Sequence, residues 1–227
     1  MQTDKVADLF KVYMDEPDQT FVDNAQIAQW LTLAYDDFRR MVIEKDPYVY
    51  AEKLTVTLSA KRKIDLSSAS DVSTPIMGAS ALAGRELYQL VNIYCIESAS
   101  EPDKVKYRLY PSRSPASVHD GMASYALRGT ELVFDEELTE TIRIDYIPFQ
   151  SSVFTTTTIS SSPQFIDDLG PFHDLIALIA YLQYAIVDAA ENPQLTGQLA
   201  RRIAALKTYL DGRPGGVVQH VVDIDWY

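Results

Sequence analysis

The chain has 227 residues, 47% of them hydrophobic and 23% charged, which excludes global disorder and leaves room for a sizeable buried core. A formal net charge of -12 argues against a surface that grips nucleic acid by neutralising its phosphates. Cys95 is the single cysteine and lies in the apolar run 90–96, so an internal disulfide is excluded and a packed thiol in a reducing compartment is expected.

In chain order, Val6, Leu9, Phe10, Tyr13 and Met14 recur at helical spacing and predict a short helix that stops at Asp15-Glu16-Pro17-Asp18. Charges interrupt this N-terminal stretch, so it does not read as a secretory signal. A second helix starts at Asp23 or Asn24, either of which can cap it, and ends before Asp46-Pro47. Ile27, Leu31, Ala34, Phe38 and Met41 form its apolar face, widened by Trp30 and Tyr35, with Gln26, Gln29, Asp36, Arg39 and Arg40 expected to look outward.

From Lys53 the period changes to two, with Leu54, Val56 and Leu58 alternating against Thr55 and Thr57 as a half-buried strand requires. Further strands are predicted at 63–66, 87–96, 105–109, 124–128, 131–134 and 141–147, the last three as a meander with a tight turn at Gly129. The Ser, Ala and Pro rich segments 67–83, 98–103 and 112–121 read as mobile loops, and the Ser/Thr tract 149–163 as unable to build its own core.

A turn or short helix at 163–169 is expected to lead into a helix from about Pro171 to Ala190. Leu175, Ile176, Ile179, Leu182 and Ile186 are its predicted buried stripe, and Leu178, Tyr181 and Tyr184 leave so few polar positions that it should be covered on most sides. It contains Gln183 and is too short for the ~20 apolar residues of a bilayer span. A last helix opens at Asn192-Pro193, carries Leu195, Leu199, Ile203, Leu206 and Leu210, and ends at Gly212 and Pro214.

The breaker cluster Gly212-Arg213-Pro214-Gly215-Gly216 then detaches a strand-like tail. One extended face of that tail shows Val218, Val222, Ile224 and Trp226, the other Gln219, Asp223 and Asp225. Such a segment either folds back on its own strands or docks on another chain. The expected class is α+β: N-terminal helices (1–50) and a C-terminal helical hairpin (151–211) forming one core, an inserted antiparallel β-module (51–150), and an extended tail (212–227).

Catalytic constellations are scarce. His119-Asp120 and His173-Asp174 could serve a metal-dependent hydrolase, but with His220 they are the only histidines, and no H-E-x-x-H or Cys/His cluster exists. No serine lies in G-x-S-x-G, and no glycine-rich phosphate loop is found. Asp135, Glu136, Glu137 and Glu140 could in principle hold a hard cation, yet no binding-loop pattern surrounds them and a solvated turn explains them better. Arg39-Arg40, Lys61-Arg62-Lys63 and Arg201-Arg202 are short, separate basic spots, better read as solvated faces or ion-pair partners than as a DNA-reading surface. Neither a cofactor nor a metal is expected.

Four segments, taken together and in order, resemble the head-to-tail adaptor proteins of tailed bacteriophages, the podovirus tail gatekeeper (tail tubular A) type included. They are DQTFVDNAQIAQWLTLAYDDFRR (18–40), LTVTLSAKRKIDLS (54–67), YALRGTELVFDEELTETIRIDYIP (125–148) and the region 171–210 that opens with PFHDLIALIAYLQYAIVDAA. The resemblance implies a non-catalytic virion protein, assembled in the host cytoplasm into a dodecameric ring between portal and tail, with a channel through which double-stranded DNA passes without sequence-specific binding. It also implies a tail that reaches the portal, through Val218, His220, Val222, Ile224, Trp226 and Tyr227, and contact with a downstream tail or nozzle protein. Net acidity makes Asp135, Glu136, Glu137 and Glu140 the candidates for the channel wall, where they would repel DNA. A stopper or tail-completion protein of the same neck is the alternative, and a metal-dependent hydrolase a more distant one.

Overall fold

The computed structural model describes residues 1–15, 22–81, 85–112, 123–149, 153–188 and 193–213. These fall into two compact units, one from 1–46 and 153–213, the other from 47–149. Four α-helices and a curled seven-stranded sheet among the described residues make the protein α+β.

The helical unit contains α1 (Thr3–Tyr13), α2 (Asn24–Lys45), α3 (Asp174–Asp188) and α4 (Pro193–Gly212). Asp23 starts α2 with a reciprocal cap: its carboxylate accepts from the Gln26 backbone N–H at 2.8 Å, and the Gln26 side chain accepts from the Asp23 N–H at 3.1 Å. Pro47 ends it by disfavouring the helical region for Asp46, which sits at φ -141°. Arg39, expected outside, is buried.

α3 touches all three other helices, and the seven consecutive residues Leu175 to Tyr181 are buried. A run buried on every side shows no amphipathic period, because each face meets a neighbour. Beyond Tyr181 the cover thins. Phe10 and Tyr13 of α1 still meet Tyr184 and Tyr181 edge-on, and the Gln183 amide donates to Asp37 of α2 at 2.9 Å, but Ile186 is 82% exposed. The predicted stripe therefore stops short: periodicity fixes which residues share a face, not how far the partner helices extend along it.

The Ser/Thr tract is knitted in rather than loose. Phe154 and Ile159 are buried, and Thr155 and Thr158 cap each other, the Thr155 N–H donating to Thr158 Oγ1 at 2.8 Å and the Thr158 N–H to Thr155 Oγ1 at 3.2 Å. The buried Thr3 hydroxyl donates to the Thr158 carbonyl at 2.6 Å and accepts from the Gln164 N–H at 3.1 Å. The hydroxyls satisfy backbone groups that a helix or strand would otherwise pair, which composition alone does not reveal. No helix forms at 163–169; Gln2 and Phe165 make an antiparallel bridge there, and a single 3-10 turn, Gly170–Phe172, precedes α3.

The second unit holds β1 (Glu52–Thr57), β2 (Lys61–Asp65), β3 (Leu87–Ser98), β4 (Glu101–Pro111), β5 (Ser124–Arg128), β6 (Glu131–Leu138) and β7 (Thr141–Pro148), in sheet order β1-β7-β3-β4-β5-β6-β2. The β5–β6 hairpin turns at Gly129, whose φ of +60° is the left-handed conformation that glycine adopts without strain. The expected meander ends there. β6 and β7 are joined by two residues, yet they pair with different strands and lie four strand gaps apart in the order, ~19 Å in a flat sheet. Three peptide units reach at most ~11 Å, so the sheet must curl until β6 and β7 face each other across a core ~10 Å thick. The β1–β2 connection imposes the same closure, and the Leu58 N–H binds the Glu140 carbonyl where the two connections meet.

Inside the curl, Leu54, Val56, Ile64, Ile93, Leu109, Leu132, Phe134, Ile142 and Ile144 pack with the Cys95 thiol. The loop after β2, expected to be mobile, contributes Val72 and Ile76 to this core, and the Ile76 N–H binds the Leu66 carbonyl at 2.9 Å. The module is also not wholly antiparallel: β4 and β5 run parallel where Tyr110 meets Ser124. The connection from 112 to 123 is long enough for the chain to return in the same direction, which a tight hairpin cannot do.

Burial predicts the cost of truncation. Leu178→Ala should lower stability by about 2–5 kcal/mol in urea unfolding, whereas Ile186→Ala should change it by less than about 0.5 kcal/mol. Equal effects would contradict this packing.

Candidate functional site

The residues singled out in the sequence meet different fates. Val218, His220, Val222, Ile224, Trp226 and Tyr227 lie outside the described residues, as do His119 and Asp120. Of the acidic group, Glu136 and Glu137 are exposed on β6, while Asp135 accepts from the Ser124 N–H at 3.1 Å and its hydroxyl at 3.2 Å. Glu140, in the connection to β7, accepts a hydrogen bond from the Tyr107 hydroxyl and lies 3.4 Å from the Lys106 ammonium. Burial pushes the Glu140 carboxyl up, but the hydrogen bonds from Tyr107 and Cys95 and the charge of Lys106 outweigh it and hold it below the usual range. Burial, with Glu140 adding to it and the Tyr107 hydrogen bond opposing, raises the Cys95 thiol to about 12, so it stays protonated at neutral pH.

His173 and Asp174 are adjacent in sequence but held by separate partners. The His173 ring is fully buried, with Nε2 2.5 Å from Asp167 Oδ1, and Phe38 meets the ring edge-on. Asp174 receives Arg202, Nε at 2.7 Å and Nη2 at 2.5 Å, in a bidentate pair that ties α4 to the start of α3. The Arg202 guanidinium also lies over the Phe172 ring, which packs against Tyr209. Both residues are therefore engaged in holding helices together. Among the described residues no three His, Cys, Asp or Glu side chains are grouped to hold a metal ion.

A buried polar arrangement on β7 was not singled out from sequence. On the face of the sheet opposite the core, Arg143 and Asp145 of β7 are both buried, Arg143 Nε lying 2.9 Å from Asp145 Oδ1 and Nη2 donating to Oδ2 at 3.2 Å. Arg143 Nη1 donates to the Pro102 carbonyl at 2.7 Å and to Asp103 at 3.1 Å, and its guanidinium lies 4.7 Å from the Tyr94 ring centroid. Lys53 of β1 reaches the same Asp103 carboxylate at 2.7 Å. Beside them Asn92 donates to the Tyr48 hydroxyl, while its buried Oδ1 has no partner among the described residues. Burial raises Asp145 above the usual carboxylate range despite Arg143, and raises the Tyr94 hydroxyl, with the Tyr48 hydrogen bond second. The available signal was the opposite charges two apart in Ile142-Arg143-Ile144-Asp145, which share one strand face and read most simply as solvated.

The sequence matches no protein-family model and no curated protein. What the geometry offers at these positions is ion pairing and hydrogen bonding across strands and helices, in the Glu140–Tyr107, Asp174–Arg202 and Arg143–Asp145 pairs.

Several paired carboxylates of the β unit give it an acid limit. Asp65, bonded by Ser67, Asp71, bonded by Lys61, Asp103, bonded by Lys53, and Glu140 all sit below their ordinary values. A depressed folded pKa contributes stability that is complete above the unfolded value and is lost as pH falls through the folded one, so the loss belongs below about pH 4. Asp145, raised, acts in the opposite sense and offsets part of it. The urea midpoint of the tyrosine signal should therefore drop between pH 5 and pH 3, and the drop should shrink in Asp71→Asn; a midpoint that rises on acidification would contradict the assignment.

Proposed function

We propose that this protein is a structural adaptor subunit of a tailed-phage neck, forming a dodecameric ring between portal and tail around a channel for DNA. The observation that carries the reading is the order of segments: N-terminal helices, a strand module, a second pair of helices, and an apolar, aromatic-ended tail set off by Gly212-Arg213-Pro214-Gly215-Gly216. In this reading α1 to α4 are one core, α3 and α4 its hairpin, and the strand module an insertion.

The contacts around His173 support a structural role, since His173, Asp174 and Arg202 join elements instead of converging on a reacting group. Net acidity suits a conduit that must not retain DNA. Glu136 and Glu137, being exposed, are better placed to act on passing DNA than Asp135 and Glu140, which are held in hydrogen bonds. Val218, His220, Val222, Ile224, Trp226 and Tyr227 are the proposed portal contacts, Trp and Tyr being the side chains that most often anchor interfaces. The individual contact is small, and repetition around a ring makes the sum large.

Deletion of 217–227 tests the reading. The shortened chain should keep the circular dichroism and unfolding midpoint of the full chain and lose attachment to the portal protein of the same virion. Unchanged attachment would remove the tail from the mechanism. Divalent-metal-dependent nuclease activity that disappears in His119→Ala would replace the adaptor with a hydrolase.

A further inference from the structure

The β3–β4 hairpin does not lie flat in its sheet. In the order β1-β7-β3-β4, Lys53 shares a row with Asp145 and Asn92, while Asp103 lies near the hairpin turn, where Ser98 faces Glu101. Three strand gaps (~14 Å) and about six residues along the strand (~20 Å) would separate Lys53 from Asp103 in a flat ladder, further than the two side chains span. Their charged atoms are nevertheless 2.7 Å apart. The end of the hairpin must therefore fold over the outer face of β7 and β1. The bend has a visible cause: the β3–β4 register shifts between Cys95 and Ile96 and again between Ile96 and Ser98.

What holds this end down is unlike what holds the rest of the sheet. None of residues 97–104 is buried, so no apolar side chain anchors it. Its attachments are the Pro102 carbonyl on Arg143 and the Asp103 carboxylate between Arg143 and Lys53. The Asp103 side chain is 76% exposed and that of Lys53 52%, so water and salt screen this pair, whose strength is small in such a setting. Underneath, Arg143 and Asp145 are only 10% and 5% exposed at their side chains, an ion pair whose desolvation opposes burial. A weak outer latch, a bulged hinge and a polar floor together describe an element with a low opening cost.

We propose that residues 97–104 form a flap that lifts as a unit from the folded sheet, with Asp103 as its latch and the bulges on either side of Ile96 as its hinge. Lifting leaves Arg143 with Asp145 and Tyr94, and frees the Lys53 ammonium from Asp103. This proposal does not rest on the adaptor reading.

Hydrogen–deuterium exchange on the full chain tests it, with Asp103→Ala and Lys53→Ala as independent variants whose exposed positions spare the core. Amides of 97–104 should exchange faster than those of 141–147 in the parent, and roughly fivefold faster again in each variant, with 141–147 unchanged. Raising the salt concentration should speed the flap of the parent more than that of either variant. The proposal is overturned if 97–104 exchanges at the rate of 141–147, or if neither variant moves it.

Discussion

The chain passes from β6 to β7 through two residues and from β1 to β2 through three, and neither pair of strands is hydrogen-bonded. Connections this short cannot cross a flat seven-stranded sheet, so the sheet curls. Much of the β unit follows from that closure. The inner faces of β1, β7, β3, β6 and β2 meet and bury their aliphatic side chains, and Val72 and Ile76 add to the same core. The concave side takes the apolar residues, leaving Arg143, Asp145 and Tyr94 to the convex side, where they find one another rather than water.

Sequence periodicity was a good guide wherever one face of an element meets core and the other meets solvent. It located β1, β5, β7 and α2, narrowed the cap of α2 to Asp23 or Asn24, of which Asp23 serves, and found the Gly129 turn, because each signal lies in residues close in sequence. It was a poor guide to pairing. Alternation in 131–147 shows which side chains point inward, and says nothing of which strand lies alongside, so a meander was the simplest expectation and the closure across the core was missed. The same blindness to partners explains Ile186, in phase with a buried stripe but beyond its cover, and Arg39, charged yet buried. The threonines of 153–162 failed for another reason: their order comes from hydroxyls bonding to backbone, Thr158 to Val153 within the tract and Thr3 to Thr158 from α1, which composition scores as looseness.

The polar chemistry of the molecule follows the same division. His173 with Asp167, Asp174 with Arg202, and Glu140 with Tyr107 lie in half-buried or buried settings where an unpaired group would be costly, and each is paired. A histidine next to an aspartate in sequence suggested metal chemistry; in space the two reach for different neighbours. The function proposed here therefore draws on the ordered resemblance of four segments and on the arrangement of helices and strands, and the tail that would join it to a portal begins just past α4, where the described residues end.

The mass of the assembled particle tests the central claim most directly. Each subunit is 25.5 kDa. Purified protein mixed with assembled portal of the same virion, weighed by native mass spectrometry or sedimentation, should give a single complex heavier than the portal by one ring of twelve such subunits, as the resemblance implies. Portal that keeps its own mass, with the added protein sedimenting as a separate monomer, would contradict the account.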